Sequence, residues 1–364
     1  MPIDDGPWPD HFPDSHAHEH CPPTAANHVP RNVRDLHPSD ISAFISLGDS
    51  VTAGFGMSKL QEHRGRSFTA GGDKNVTTVS NIIKHYSPRL SGQSRGSHFV
   101  EICFGYICPS SHQPEFDRLN SAQTGAMVNN LEEQVNYLIE QSKKPEYREA
   151  LKGWKIINIL IGFNDLCFSC ILKGTSPEDY KQYLTDVLMR LRKAFPKSLI
   201  NLVELFRVSQ VYSLSRKSSF CKNIHRIFPV ECVCAFLPRS FGDKFRDGMD
   251  KTVIRYNRVL REVAAEFQEE DDFAVNVNPA LQKMDLDVFD TSFLSHLDCF
   301  HPSTMAYQYM AVYVWNAMIS REAHESEFDP NVEILCADEN TRFLVDTLEQ
   351  PYTFNHQVSP SRVQ

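Results

Sequence analysis

The chain has 364 residues, 41% of them hydrophobic, and a formal net charge of −9 at pH 7. That apolar fraction can build a sizeable core and excludes global disorder. The acidic balance excludes a general nucleic-acid binder, which would carry a basic patch, and no apolar run approaches the length needed to cross a bilayer.

Residues 1–40 are rich in Pro, His and Asp and lack apolar periodicity, which predicts a tail or wrapping arm rather than a domain. Their start, Met-Pro-Ile-Asp-Asp-Gly-Pro, has neither the basic n-region nor the apolar h-region of a secretory leader. Three readings stay open: a leader outside this chain, a leader already removed, or a product kept inside the cell. His16, His18, His20 and Cys21 could bind a metal, but no second ligand pair stands at a fixed spacing, so a solvated polar segment is the better reading.

From residue 41 strands and helices alternate. Residues 41–47 form a strand, 76–85 a helix with Val79, Ile82 and Ile83 on one side, and 128–141 a helix with Leu131, Val135, Leu138 and Ile139 at helical spacing. Residues 156–161 are an apolar run broken only by Asn158, the pattern of a central parallel strand. Ser176 caps a helix over 177–195, with Pro177 at the first helical position. A strand at 199–205, a helix at 252–267, a short strand at 273–277 and a last helix at 304–318 complete the order. Such alternation predicts an α/β fold whose parallel sheet is covered on both faces. Two stretches break the rhythm: 54–72, polar and glycine-rich, and 206–249, with three cysteines and no clear period; insertions of this kind shape substrate access. Residues beyond about 321 are acidic and then polar, and are expected to pack loosely.

Ten cysteines suit an oxidising compartment. Cys167 and Cys170 resemble half a zinc site, but Cys232 and Cys234 have one residue between them, short of the zinc spacing. Disulfides are the better reading, with connectivity left open.

Gly48-Asp49-Ser50 ends the first strand and leads into small residues and glycines, placing a hydroxyl at the carboxyl edge of the sheet, where ligands of open α/β sheets bind. Asp298-Cys299-Phe300-His301 can supply a base and the carboxylate that orients it, with Ser50 as the nucleophile. The same segment also reads as a helix start with Ser303 as N-cap. Asn164, after the strand at 156–161, can donate an uncharged amide into the same crevice, or simply make a turn. Gly125, before a helix, can bring its backbone N–H to a substrate oxygen, or serve only as a turn glycine. Together the Ser50 N–H, the Gly125 N–H and the Asn164 side chain would make an oxyanion hole.

In this order Ser50, Gly125, Asn164 and His301 resemble the four blocks of the SGNH, or GDSL-type, hydrolases. The match narrows to the phospholipase B-like branch through 47–54, Arg64-Gly65-Arg66-Ser67-Phe68 with Gly71-Gly72-Asp73, Asn164-Asp165-Leu166-Cys167 with Cys170, 232–236 and 298–301. The resemblance spans residues 38–318. It implies a three-layer α/β/α sandwich with a mainly parallel central sheet over 41–320, flanked by an arm at 1–40 and a C-terminal extension at 321–364. It further implies a serine esterase with no metal and no cofactor, acting on phospholipid or lysophospholipid at a membrane or micelle surface it visits transiently. Members of the family are secreted or displayed on membranes, which sets the expected location outside the cell. Val51 replaces the family's Leu. Phe163 stands where a second glycine is usual before Asn164, and Pro302 where an aromatic is common. Two further readings stand beside this one: the same machinery acting on short-chain or carbohydrate esters, and, with Phe163 as its motive, a lipid-binding module with weakened turnover.

Overall fold

The computed structural model describes residues 17–22, 28–227, 231–237, 239–268, 270–329 and 331–345. Its strands are β1 (Ile41–Gly48), β2 (Gln61–Glu62), β3 (His98–Phe99), β4 (Trp154–Leu160), β5 (Ser198–Val203) and β6 (Phe273–Asn278). Four of them form one fully parallel sheet in the order β1-β4-β5-β6, while β2 and β3 pair antiparallel as a separate ribbon. The four parallel strands are buried almost throughout, as near-continuous apolar runs require when both faces are covered. Asn158, the one polar break seen in the β4 run, has a partner one strand over: Asn201 donates to its side-chain oxygen at 2.8 Å, and Asn278 donates to Asn201 at 3.2 Å. These bonds offset part of the penalty of burying the three amides inside the sheet.

Helices Leu131–Ser142, Pro177–Ala194 and Arg239–Ala265 pack side by side as one layer; Val79–Tyr86 and Thr304–Ile319 pack together as the other. The result is an α/β/α sandwich. Ser176 caps its helix by accepting from the Asp179 N–H at 3.1 Å, while the Asp179 carboxylate returns the contact, and Pro177 stands at the first helical position as expected. Thr78 caps the helix expected from 76, so it starts at Val79.

Three expectations are corrected. The helix expected over 252–267 runs from Arg239 to Ala265. Its first half holds Gly242, Gly248 and many charges, so no apolar period marks it; tertiary contacts hold it instead, with the Arg246 guanidinium 3.7 Å from the centre of the Tyr212 ring. The glycine-rich stretch 54–72 is not an open access loop, since Glu62, Arg64 and Phe68 within it are fully buried. Nor is the C-terminal segment loosely packed as far as residue 345. Ala337, Phe343 and Val345 are buried, Leu335 O accepts from the Trp315 indole N–H at 2.8 Å, and Cys336 is bonded to Cys21. This segment lies against the helix Thr304–Ile319, which is apolar on all sides and so must be enclosed.

All ten cysteines are paired: Cys21–Cys336, Cys103–Cys108, Cys167–Cys232, Cys170–Cys234 and Cys221–Cys299. The zinc reading of Cys167 and Cys170 is thereby replaced. Cys21 is likewise taken by a disulfide, and His16, of the same N-terminal cluster, lies outside the described residues. Among the described residues no helix is long and apolar enough to cross a membrane.

Candidate active site

Ser50 begins a single helical turn directly after β1. Asp49 caps that turn, its carboxylate accepting the Val51 N–H at 3.0 Å. The backbone just before it is fixed by Gln134, which accepts the Gly48 N–H at 2.9 Å and donates to Gly48 O at 2.7 Å. A serine at this place is therefore aimed by the end of a rigid strand rather than by a loop.

Residues 251 positions apart in sequence meet here: His301 Nε2 lies 2.7 Å from Ser50 Oγ. On its other side His301 Nδ1 lies 2.6 Å from Asp298 Oδ2, and Asp298 Oδ1 accepts the backbone N–H groups of Phe300 at 2.9 Å and His301 at 3.0 Å. The carboxylate thus closes its own turn with one oxygen and orients the imidazole with the other. The helix-start reading of this segment also holds, because Ser303 accepts the Ala306 N–H at 3.4 Å. Cys299, at the tip of the turn, has φ +57° and is bonded to Cys221, while its carbonyl faces His225 Nε2 at 3.0 Å. The His301 ring is held edge-on between Phe55 at 4.9 Å and Phe300 at 5.1 Å.

The electrostatics follow from this geometry. Burial pushes the Asp298 carboxyl up, but the charge and hydrogen bond of His301 outweigh it and hold the group below its usual value. Burial alone would lower His301; the Asp298 charge and hydrogen bond raise it above its ordinary value. The Asp49 carboxyl is pushed up to about 7 by complete burial, with the Val51 N–H and His301 acting against that. Glu231, Asp298 and His301 gather donor atoms within 4.8 Å of one another, but both His301 nitrogens are already engaged by Asp298 and Ser50.

Asn164 lies with Ser50 and His301 on one cleft, whose walls are otherwise apolar: Val51, Phe163, Phe206, Val211, Met284 and Leu294 are among them. It is the second residue of the short helix Phe163–Phe168 after β4 and donates one amide proton to Ala126 O at 2.9 Å, leaving the other. Gly125 is one residue from that carbonyl. It makes the turn there, with φ +86° and Cys103 O only 3.0 Å from where a Cβ would stand. Phe163 fills the place of a glycine by packing into the wall, its ring 4.6 Å from that of Phe206.

Sequence reasoning missed several supports. Gly56 has φ +93°, and a Cβ there would meet His301 Cβ at 2.4 Å, so only glycine lets the chain pass behind the imidazole. Gln134 was legible in principle, as a polar residue on the buried face of an apolar helix. Gly56 carried no signal, since its requirement comes from a residue 245 positions away, by difference of the numbering.

The GDSL-like Lipase/Acylhydrolase family matches residues 44–314. The chain is similar to the membrane-associated phospholipase B1 of Mus musculus, 30% identical over 341 residues, covering 86% of this chain and 22% of that protein. It is 27% identical to the Homo sapiens protein of the same name over 360 residues, covering 90% of this chain and 23% of the other. The chain thus spans under a quarter of the length of these relatives. Among solved structures, a mutant of Axe2, an acetyl-xylooligosaccharide esterase of Geobacillus, aligns with a TM-score of 0.42 at 15% identity, over 78% of this chain and 97% of that one. An extracellular lipase of Streptomyces rimosus aligns with a TM-score of 0.35 at 14% identity, over 76% and 98%.

Proposed function

Because this chain belongs to the GDSL-like lipase/acylhydrolase family, we propose that it is a phospholipase B-like serine esterase, releasing fatty acid from phospholipids or lysophospholipids. The observation that carries the reading is the uninterrupted relay from Asp298 through His301 to Ser50, both contacts within hydrogen-bond distance. In this reading Ser50 Oγ attacks the acyl carbonyl as His301 Nε2 takes its proton. The negative oxygen that forms is held by the Ser50 and Gly125 N–H groups and the free Asn164 amide proton. His301 then returns the proton to the leaving alcohol, giving an acyl-enzyme. Water, deprotonated by the same imidazole, attacks that ester and frees the acid and Ser50. The apolar wall from Val51 to Met310 suits an acyl chain better than a sugar.

The mammalian relatives are named as membrane-associated, and five disulfides fit an oxidising compartment; both support a secreted or extracellular membrane-associated protein that meets its lipid at a membrane or micelle surface. The Phe163–Phe206 contact narrows the cleft and favours, as a second reading, esters with short acyl groups. Incubation of the purified protein with a diacyl phospholipid, its lyso form and short-chain esters, followed by product identification, separates the two. Ser50→Ala is expected to abolish release while the fold persists; unchanged turnover in that variant would end the proposal. Covalent labelling of Ser50 by a fluorophosphonate is expected too, and a folded protein that does not react would point instead to a lipid-binding module.

A further inference from the structure

The ribbon of β2 and β3 and the segment after it bury six ionisable side chains together: Glu62, Arg64, His98, Glu101, His112 and Asp117. None belongs to the Ser50 relay. Arg64 is at the centre, wholly buried, with Nη2 at 2.8 Å from Glu62 and 3.3 Å from Glu101, and Nε at 3.0 Å from Asp117. His98 Nδ1 faces Phe99 O at 2.8 Å, while its Nε2 lies 2.9 Å from Asp117 and 3.2 Å from the Arg64 Nε–H. His112, stacked on Tyr137 at 3.8 Å, lies 3.3 Å from Glu101 and 3.4 Å from Asp117. The donor atoms of His98, Glu101 and Asp117 are close enough together for a metal ion, but the guanidinium already supplies the positive charge there.

Glu62 links this cluster to Thr124. Glu62 turns one oxygen to Arg64 and the other to Thr124, accepting the Thr124 hydroxyl at 2.6 Å and its backbone N–H at 3.2 Å. Thr124 is further tied by its N–H to Glu101 O and by its carbonyl to the Cys103 N–H, each at 3.0 Å. The next residue is Gly125. A carboxylate anchored by a buried arginine is a stiff support, because neither partner can leave without stranding a charge in a dry interior.

We propose that the buried cluster around Arg64 positions the Gly125 N–H for the developing oxyanion, with Glu62 and Thr124 as the positioning residues that connect the two. This rests on the reading of Gly125 as an oxyanion donor. Neither residue needs to touch substrate. A donor displaced by a fraction of an ångström loses stabilisation of the transition state more than of the bound ester, so the effect falls on kcat rather than KM.

The test uses the full chain and p-nitrophenyl acyl esters. Thr124→Val removes the hydroxyl at nearly constant shape and is expected to lower kcat about ten- to a hundredfold with KM within about twofold. Thr124→Ser restores the hydroxyl and is expected to recover most of the loss. Glu62→Asp keeps the charge opposite Arg64 but withdraws it by about 1.5 Å; it tests the same link if Thr124→Val does not fold, and is expected to lower kcat likewise. Wild-type kcat in folded Glu62→Asp or Thr124→Val, a loss confined to KM, or a Thr124→Ser variant as slow as Thr124→Val would each overturn the proposal. A wild-type protein that neither hydrolyses these esters nor reacts with a fluorophosphonate would overturn the esterase reading, and this with it, and is told apart by the absence of any activity to compare.

Discussion

Replacing Asp298 by Asn probes the relay at its least visible step, the choice of imidazole tautomer. In the native protein Asp298 Oδ1 accepts two backbone N–H groups, at 2.9 and 3.0 Å, and Oδ2 faces His301 Nδ1 at 2.6 Å. Asparagine has one oxygen. The two backbone donors are fixed in place and buried, so the oxygen stays with them and the amide NH2 turns to Nδ1. Nδ1 must then accept, the ring proton moves to Nε2, and Nε2 can no longer take the proton of Ser50, 2.7 Å away. The loss expected for a wrong tautomer is about 10⁴-fold in kcat, or about 5.4 kcal/mol of transition-state stabilisation. Because the turn keeps its hydrogen bonds, thermal unfolding should move little. The assay is fatty-acid release across pH. Native turnover rises with pH as His301 loses its proton, above its ordinary 6.5 because Asp298 holds the proton on. A folded Asp298→Asn variant retaining more than a tenth of native kcat on the alkaline plateau would refute this reasoning.

Three further outcomes are expected. Gly56→Ala, which forces a Cβ to 2.4 Å from His301 at φ +93°, should cut kcat by tenfold or more while leaving the overall circular dichroism unchanged. Phe163→Ala removes a ring packed at 4.6 Å on Phe206; it should cost about 3 kcal/mol in chemical denaturation and shift activity toward longer acyl chains, read from a chain-length series. Burial raises Asp49 from 3.8 to about 7, so the folded state holds this proton more tightly than the unfolded one. That contribution is fully present below pH 3.8 and is lost as pH rises to about 7. Asp49→Asn keeps the cap to Val51 without the titration, and denaturation midpoints should show a smaller fall over that window than in the native protein.

Much of the architecture was legible because it is local. The apolar runs that became β1, β4, β5 and β6 announce strands buried on both faces, and the Ser176-Pro177 start of its helix is written in the residues that cap it. The first half of the helix Arg239–Ala265 was hidden, because stacking on Tyr212 holds it in place of an apolar stripe. The packing of residues 331–345 was hidden because its short apolar runs carry no helical or strand period; the segment is held by buried Ala337, Phe343 and Val345, by backbone contacts to Trp315 and Asn316 and by the disulfide to Cys21. Sequence could count cysteines but could not pair them, since pairing depends on which loops the sheet brings side by side.

The residues of the site show the same division. That Ser50 follows a buried strand, that Asp298 stands three before His301 and that Asn164 follows a buried run are properties of short stretches, readable by spacing alone. That His301 meets Ser50 at 2.7 Å across 251 positions, that Gly56 must be bare for it to do so, and that Glu62 reaches Thr124 beside Gly125 are properties of chain crossings. Local sequence sets φ, ψ and the faces of each element; where two elements cross is set by the packing of the whole core, and there the distances that make chemistry are decided.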